Sequence, residues 1–490
     1  MFESLLSKFN RRSALRRGTA RRERAAVLQQ VQADSLEPRT MLSGTLSITA
    51  TDGSAFTVDS SEFDRVVVES GAQIGTLKIQ GDASDIVVDI KDDARANSVS
   101  ILGGAGAETL IIRGEAGPVS FQGRGGDDVF AAFAGSVLGS LSLNGDAGDD
   151  RFVVQGFVNG TTTVQGGAGI DRLVVSDGAE LLGDLTGSLG EGSDRVAFRS
   201  EGLDSQTRTS NVDLDLGAGA NIFDFYNPTQ VDGNFKLTGG DQNDVVRFRG
   251  NAQIDDINGN QTINLNAGND QLTIAGAFDV NGNQTLNLGE NSDGLVFEQF
   301  TLQGNQNIDL GGATGGRDSV RFGADDINGS SNVVSAGSAF IQESAAREIQ
   351  SDYTVEVGDA ELALGLGGGS VVMGNLSVTS GAVATVGVNA TLTMGNATLS
   401  LGRGDDSVNL RGLMIENTNN LNVTTGAGAD TVRLNGATVT GNSNVNVGAD
   451  DDTVENDRFT VNGTATFVGG EGTDTITDPV QGNVSGFEGN

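Results

Sequence analysis

The chain has no cysteine, no histidine and no tryptophan, and only two tyrosines and four prolines in 490 residues. Each absence excludes a class of chemistry. Without cysteine there is no disulfide, no thiolate nucleophile and no sulfur-ligated zinc. Without histidine there is no imidazole base and no serine triad that relies on one. Aromatic residues make up 5% of the chain, which leaves little for stacking on sugars or bases. No run of 18 consecutive apolar residues occurs, so no helix is expected to span a bilayer. Scarce proline is itself a signal. A stacked parallel sheet tolerates few prolines, because each removes a ladder donor.

Cationic residues are also scarce, and they are unevenly placed. Residues 1–40 carry nine Lys and Arg against four Asp and Glu, whereas the remaining 450 carry 21 against 61. The body of the chain should therefore repel nucleic acid and anionic membranes and attract cations.

What the sequence has in abundance is glycine, 73 residues, and a recurring turn that carries it. Gly-rich segments ending in Asp occur as GRGGDD (123–128), GDAGDD (145–150), GGAGID (166–171), GGDQND (239–244), NAGND (266–270), GRGDD (402–406), TGAGAD (425–430), VGADDD (447–452) and GGEGTD (469–474). Weaker copies end at Asp85, Glu108, Asp194, Asn221, Asp293 and Asp318. Successive turns are 20 to 27 residues apart, and the 88 residues from Asp318 to Asp406 fit four coils whose turns have drifted. Apolar residues alternate on both sides of each turn, as in Leu141-Ser142-Leu143 before one and Phe152-Val153-Val154 after it. Period-two alternation marks strands with a buried face, and a fixed period marks a repeat architecture.

The predicted fold is all-β: an elongated parallel β-solenoid of about 19 coils, with a ~22-residue period and one Gly-Asp turn per coil. At ~4.8 Å per coil the rod would be on the order of 90 Å long. Residues 1–44 read as a basic leader, disordered or a short helix; 45–477 as one solenoid, with diverged coils at 326–397; and 478–490 as a tail. The tripeptides Gly259-Asn260-Gln261, Gly282-Asn283-Gln284 and Gly304-Asn305-Gln306 recur at coil spacing and predict a second, amide ladder on the return turn.

Two resemblances follow from these residues. The segment Leu36-Glu37-Pro38-Arg39-Thr40-Met41-Leu42 resembles the LEPR-XLL leader of secreted or surface proteins of planctomycete-type bacteria. That resemblance implies export or surface sorting. The turns resemble hemolysin-type calcium-binding (RTX) repeats, G-G-x-G-x-D-x-U-x, and Gly166–Leu173 and Gly469–Ile476 fit every fixed position. This second resemblance implies Ca2+ held by Asp carboxylates and turn carbonyls, at Asp128, Asp150, Asp171, Asp244, Asp270, Asp406, Asp430, Asp452 and Asp474. The chain departs from that family in having one loop per ~22-residue coil rather than two per eighteen, so one metal column is expected and its occupancy is expected to be patchy.

The expected function is a secreted or cell-surface structural or adhesive protein with calcium in its turns. Its expected partners are calcium, surface or matrix components, or further copies of the chain, and not nucleic acid. Two alternatives stand beside it. One is a metal-free rod. The other is a polysaccharide-active β-helix enzyme, for which 326–397 offers Arg347, Asp352, Tyr353, Glu356, Asp359 and Glu361.

Overall fold

The structure, a computed structural model, describes residues 44–477 apart from 83, 200–205, 227–228, 251–255, 313–315 and 390, together with 26–27 and 482–488. The LEPR segment and nearly all of the basic leader lie outside the described residues. The described chain winds as a parallel β-solenoid of about 19 turns with a ~22-residue period. Its strands form two sheets, of 28 and 26 members, and the pairings between coils are parallel.

A single coil shows the plan. A strand, Leu141–Ala147, runs into the Gly-Asp turn; a second strand, Arg151–Val154, leaves it; a two-residue strand, Phe157–Val158, turns the corner back to the start of the next coil at Thr162. Each strand pairs with its counterpart one coil away, Leu141 with Thr162 and Arg151 with Arg172. The strand before the turn shows the predicted alternation: along Thr162–Ala168, Thr162, Val164 and Gly166 are buried and the residues between them are not. The stem of the turn stays in the ladder, since Asp146 pairs with Gly167 and Ala147 with Ala168.

The core is a thin apolar column. Val, Leu and Ile dominate it, and a run of phenylalanines widens its middle. Phe198, Phe223, Phe225, Phe235, Phe248 and Phe278 stack with ring centroids 5.2–6.2 Å apart. Such pairs add about 0.5–1.5 kcal/mol each beyond the area they bury.

The strand after the turn departs from simple alternation. From Val67 to Asp224 its outward position is buried too: Val153, Val174 and Ala197 are each 2% exposed or less, as are Asp89 and Asp224. This part of the rod therefore carries a second, external layer of packing, with Ala131, Val153 and Val174 forming a cluster separate from the main core.

The drifted stretch keeps register. Asp318 pairs with Ala339, Ala339 with Leu362, and Leu362 with Ala384, whose amide meets the carboxylate of Asp406. Four coils span the gap, and Ala339, Leu362 and Ala384 occupy the position that carries Asp elsewhere. At the other end one expected marker is displaced. Ile86, not Asp85, pairs with Glu108, and Asp85 lies one residue outside the column.

Candidate ion site in the stacked turns

The last residue of each turn points inward. Asp128, Asp150, Asp171, Asp194, Asp244, Asp270, Asp293, Asp318, Asp406, Asp430, Asp452 and Asp474 are all 2% exposed or less, as are Glu108 and Asn221. They form a hydrogen-bonded ladder along the rod. The amide of Asp128 donates to Oδ1 of Asp150 at 2.8 Å, Asp150 to Asp171 at 2.8 Å, and Asp171 to Asp194 at 2.7 Å. The chain continues through Asn221, Asp244, Asp270, Asp293 and Asp318. It resumes from the amide of Ala384 through Asp406, Asp430 and Asp452 to Asp474. All nine residues that the turn resemblance nominates lie in this column, and so do Glu108, Asp194, Asp293 and Asp318 from weaker turns.

The glycines make room for the carboxylates. A Cβ on Gly145 would lie 1.9 Å from Oδ2 of Asp150, and one on Gly166 would lie 2.3 Å from Oδ2 of Asp171. The glycine two residues before the Asp has a different task. Gly169 sits at φ +136° and a Cβ there would come within 2.0 Å of the Gly148 carbonyl of the preceding coil. Both the left-handed backbone and the close coil-to-coil approach demand glycine there.

Half of most of these carboxylates is satisfied; in Asp244 and Asp318 both oxygens are, because Oδ2 also accepts from the Gly240 amide and the Ser335 hydroxyl. Oδ1 accepts the neighbouring amide, but Oδ2 of Asp128, Asp150, Asp171, Asp194, Asp270, Asp293, Asp406, Asp430, Asp452 and Asp474 is buried with no hydrogen-bond partner. Burial pushes Asp150, Asp194, Asp270, Asp293, Asp406 and Asp452 up to about 7, and neighbouring carboxylates add to the shift. Asp171 is raised to about 6 by the same burial. Asp128 is raised as well, by burial and then by the charge of Glu108 beside it.

Asn221 shows what the unpaired oxygen faces. Its Nδ2 donates to the carbonyls of Gly217 and Gly219 in its own turn, at 3.2 and 3.0 Å. A carboxylate oxygen in that place would meet two carbonyl oxygens and would need a proton or a cation between them. The donors are all oxygen, which suits a hard cation such as Ca2+. Among the described residues no three acidic side chains converge on one point, so backbone carbonyls would have to supply most of any metal's shell.

Two further ladders accompany this one. The residue before the column caps in the opposite direction: the amide of Asp149 donates to Asp127, that of Ile170 to Asp149, and that of Thr473 to Asp451, all near the surface. On the return turn the predicted asparagine ladder is present, with the amides of Asn283 and Asn305 donating to the side chains of Asn260 and Asn283 at 2.8 Å.

The residues considered for an enzyme separate. Arg347 and Tyr353 lie in the core, 1% exposed. Asp352 caps the amide of Asn375 on the return turn, while Asp359 and Glu361 are exposed partners of Arg403 and Arg317. What sequence reading missed is the cluster around Arg347. Its guanidinium lies 3.8 Å from the Phe322 ring centroid and 5.0 Å from that of Tyr353, and Nη2 donates to Gln306 at 2.5 Å. Gln306 and Gln284 in turn donate to Gln284 and Gln261, so three aligned amides turn their oxygen ends toward the buried cation. The signal was present as the repeated Gln of the GNQ tripeptides; the arginine that ends the series is 41 residues further on.

A comparison with known protein families finds no model that matches this chain. Comparisons with curated proteins and with solved structures find no match either. Among the described residues no helix is long and apolar enough to cross a membrane.

Proposed function

We propose that the chain is a secreted or cell-surface structural rod whose stacked turns take up calcium. The observation that carries this reading is the column of buried Asp side chains whose Oδ2 atoms lack a partner. A column of like charges one coil apart is unfavourable in a low-dielectric interior, and divalent cations shared between coils would relieve it. The resemblance of the turns to hemolysin-type repeats supports calcium, and the LEPR-like leader supports export. Extracellular calcium would then add its binding free energy to the stability of the folded rod. No catalytic role is part of this reading. A metal-free rod with protonated Asp side chains is the second reading, favoured by Asn221, whose neutral amide satisfies the same place without a cation.

Thermal unfolding of the full chain, followed by circular dichroism in chelator and across micromolar to millimolar calcium, tests the proposal. A large rise in melting temperature with calcium, absent with magnesium, is expected. Identical melting in chelator and calcium would leave the metal-free rod as the better account.

A further inference from the structure

The chain has five methionines, and those in the described residues, Met373, Met394 and Met414, fall on one outer face of three consecutive coils. The tripeptide Met-Gly-Asn occurs at 373–375 and again at 394–396. Its asparagines stack in the return-turn ladder, the amide of Asn396 donating to Oδ1 of Asn375 at 3.0 Å. Val372 pairs with Thr393 just before the methionines, so Met373 and Met394 stand side by side, ~4.8 Å apart along the rod. In the next coil Met414 is the partner of Leu392, two residues before Met394, and so lies on the same face along a diagonal. The residues that alternate with them, Val372, Thr393 and Ile415, are buried in the core. The methionines point outward: Met414 is 46% exposed, and Met373 and Met394 are half-buried.

A loop is folded onto the middle sulfur. After Ile415 the chain carries Asn417 and Thr418 in the left-handed region, at φ +57° and +60°. Non-glycine residues persist in such backbone only where their surroundings hold them. Here Asn417 Nδ2 donates to Sδ of Met394 at 3.3 Å, and Asn419 Nδ2 donates to the Met394 carbonyl. The amide of Met394 donates to the Val372 carbonyl and that of Glu416 to the Thr393 carbonyl, so Glu416 takes in its coil the place that Met394 holds in the preceding one. Three thioethers and one carboxylate therefore share a small patch of surface.

We propose that Met373, Met394 and Met414 form a binding site for a soft monovalent cation, Cu(I). Thioether sulfur is a soft ligand that selects Cu(I) over hard cations such as Ca2+ and Mg2+. The chain has no cysteine and no histidine, so methionine is its only soft side-chain donor. Methionine is unbranched and turns about three bonds, which lets sulfurs on neighbouring coils converge on one ion. Glu416 brings a negative charge to balance the cation, and Leu392, in register between Val371 and Met414, keeps one side of the patch apolar. Packing alone would be served as well by leucine, the residue this face carries at 392. The site shares no residue with the Asp column, so it stands or falls separately from calcium in the turns.

Titration of the full chain, carrying carbon-13 at its methionine methyls, tests it. The probes are Cu(I), kept reduced by ascorbate under argon, and redox-inert Ag(I); uptake is read by NMR and by competition with a chromogenic Cu(I) chelator. The expected result is a joint shift of the Met373, Met394 and Met414 methyl signals, complete at about one equivalent of cation, with Met41 unmoved and excess Ca2+ without effect. Met394→Leu conserves volume, and Met41→Leu is the control. Melting curves confirm that both variants fold. Met394→Leu should weaken uptake by about a hundredfold, since losing even a partner of a metal ligand costs about 10–100-fold, and Met41→Leu should leave it unchanged. Absence of the joint shift, an equal shift at Met41, undiminished uptake by Met394→Leu, or displacement of Cu(I) by Ca2+ would each overturn the inference.

Discussion

The backbone amide of Asp150 donates to Oδ1 of Asp171, 2.8 Å away in the next coil, while Oδ2 of that same carboxylate is buried without a partner. One oxygen joins the coils and the other remains free for a proton or a cation. The pH and metal responses expected of this rod follow from that division.

In chelator, the stability of the rod should fall as pH rises. The ladder carboxyls titrate near 3.8 when unfolded, but Asp150, Asp194 and Asp270 are raised to about 7 in the fold. A raised pKa means that the folded chain holds protons the unfolded chain has released. The stabilisation is full below about pH 4 and is lost as pH climbs through about 6–7. Calcium at pH 8 should restore it. Melting temperatures from pH 4 to 9, with and without calcium, check both parts; a metal-free profile flat from pH 4 to 8 would show that the ladder does not titrate.

Asp171→Asn should imitate the coil of Asn221. Its amide would replace an acid raised to about 6 by one that cannot ionise, a local gain on the order of 3 kcal/mol in chelator at pH 8. Asn221→Asp should do the reverse. Hydrogen exchange of the amides of Asp150 and Asp171 reads the effect, and the calcium-induced protection there should shrink in Asp171→Asn.

Gly169→Ala should destabilise the turn by about 1–3 kcal/mol from backbone strain alone. Contact with the Gly148 carbonyl adds to this, since the new Cβ would lie 2.0 Å from it. Gly365→Ala is the comparison, because a Cβ there meets nothing within 4 Å. Its effect should stay within about 0.5 kcal/mol. Denaturant midpoints of the two variants give the contrast directly; equal midpoints would show that glycine at 169 is not required by the stack.

Arg347→Leu should cost about 3–5 kcal/mol locally, because removing the cation leaves acidic groups buried without it. Asp325 has its carboxylate 3.8 Å from the guanidinium, and burial raises the pKa of Glu343 against the opposing charge of Arg347. Adding Asp325→Asn and Glu343→Gln should recover much of the loss. Limited proteolysis between residues 306 and 372 reports the opening. Wild-type resistance in Arg347→Leu would show that the buried charges are not coupled.

The repeat, its period, the strand alternation and the stacking of the Asp turns into one column were all legible in the sequence, since each is a local pattern imposed on every coil, whereas the inward burial of the Asp side chains was not. The four coils between Asp318 and Asp406 could even be counted without a motif, because stacking forbids a change of register. What the tertiary structure decided is how residues one or more coils apart meet. It set Ile86 rather than Asp85 in the column, placed Ala339, Leu362 and Ala384 where the carboxylates stop, and left one oxygen unpaired on most of the column's Asp residues, though not on Asp244 or Asp318. It drew Arg347 to the end of the glutamine series and lined up Arg151, Arg172 and Arg195 across the outer face. The physical reason is that a one-residue shift of register reverses which face a side chain occupies, and burial, charge and hydrogen bonding all follow from the face. Spacing alone leaves that last residue undetermined; stacking fixes it.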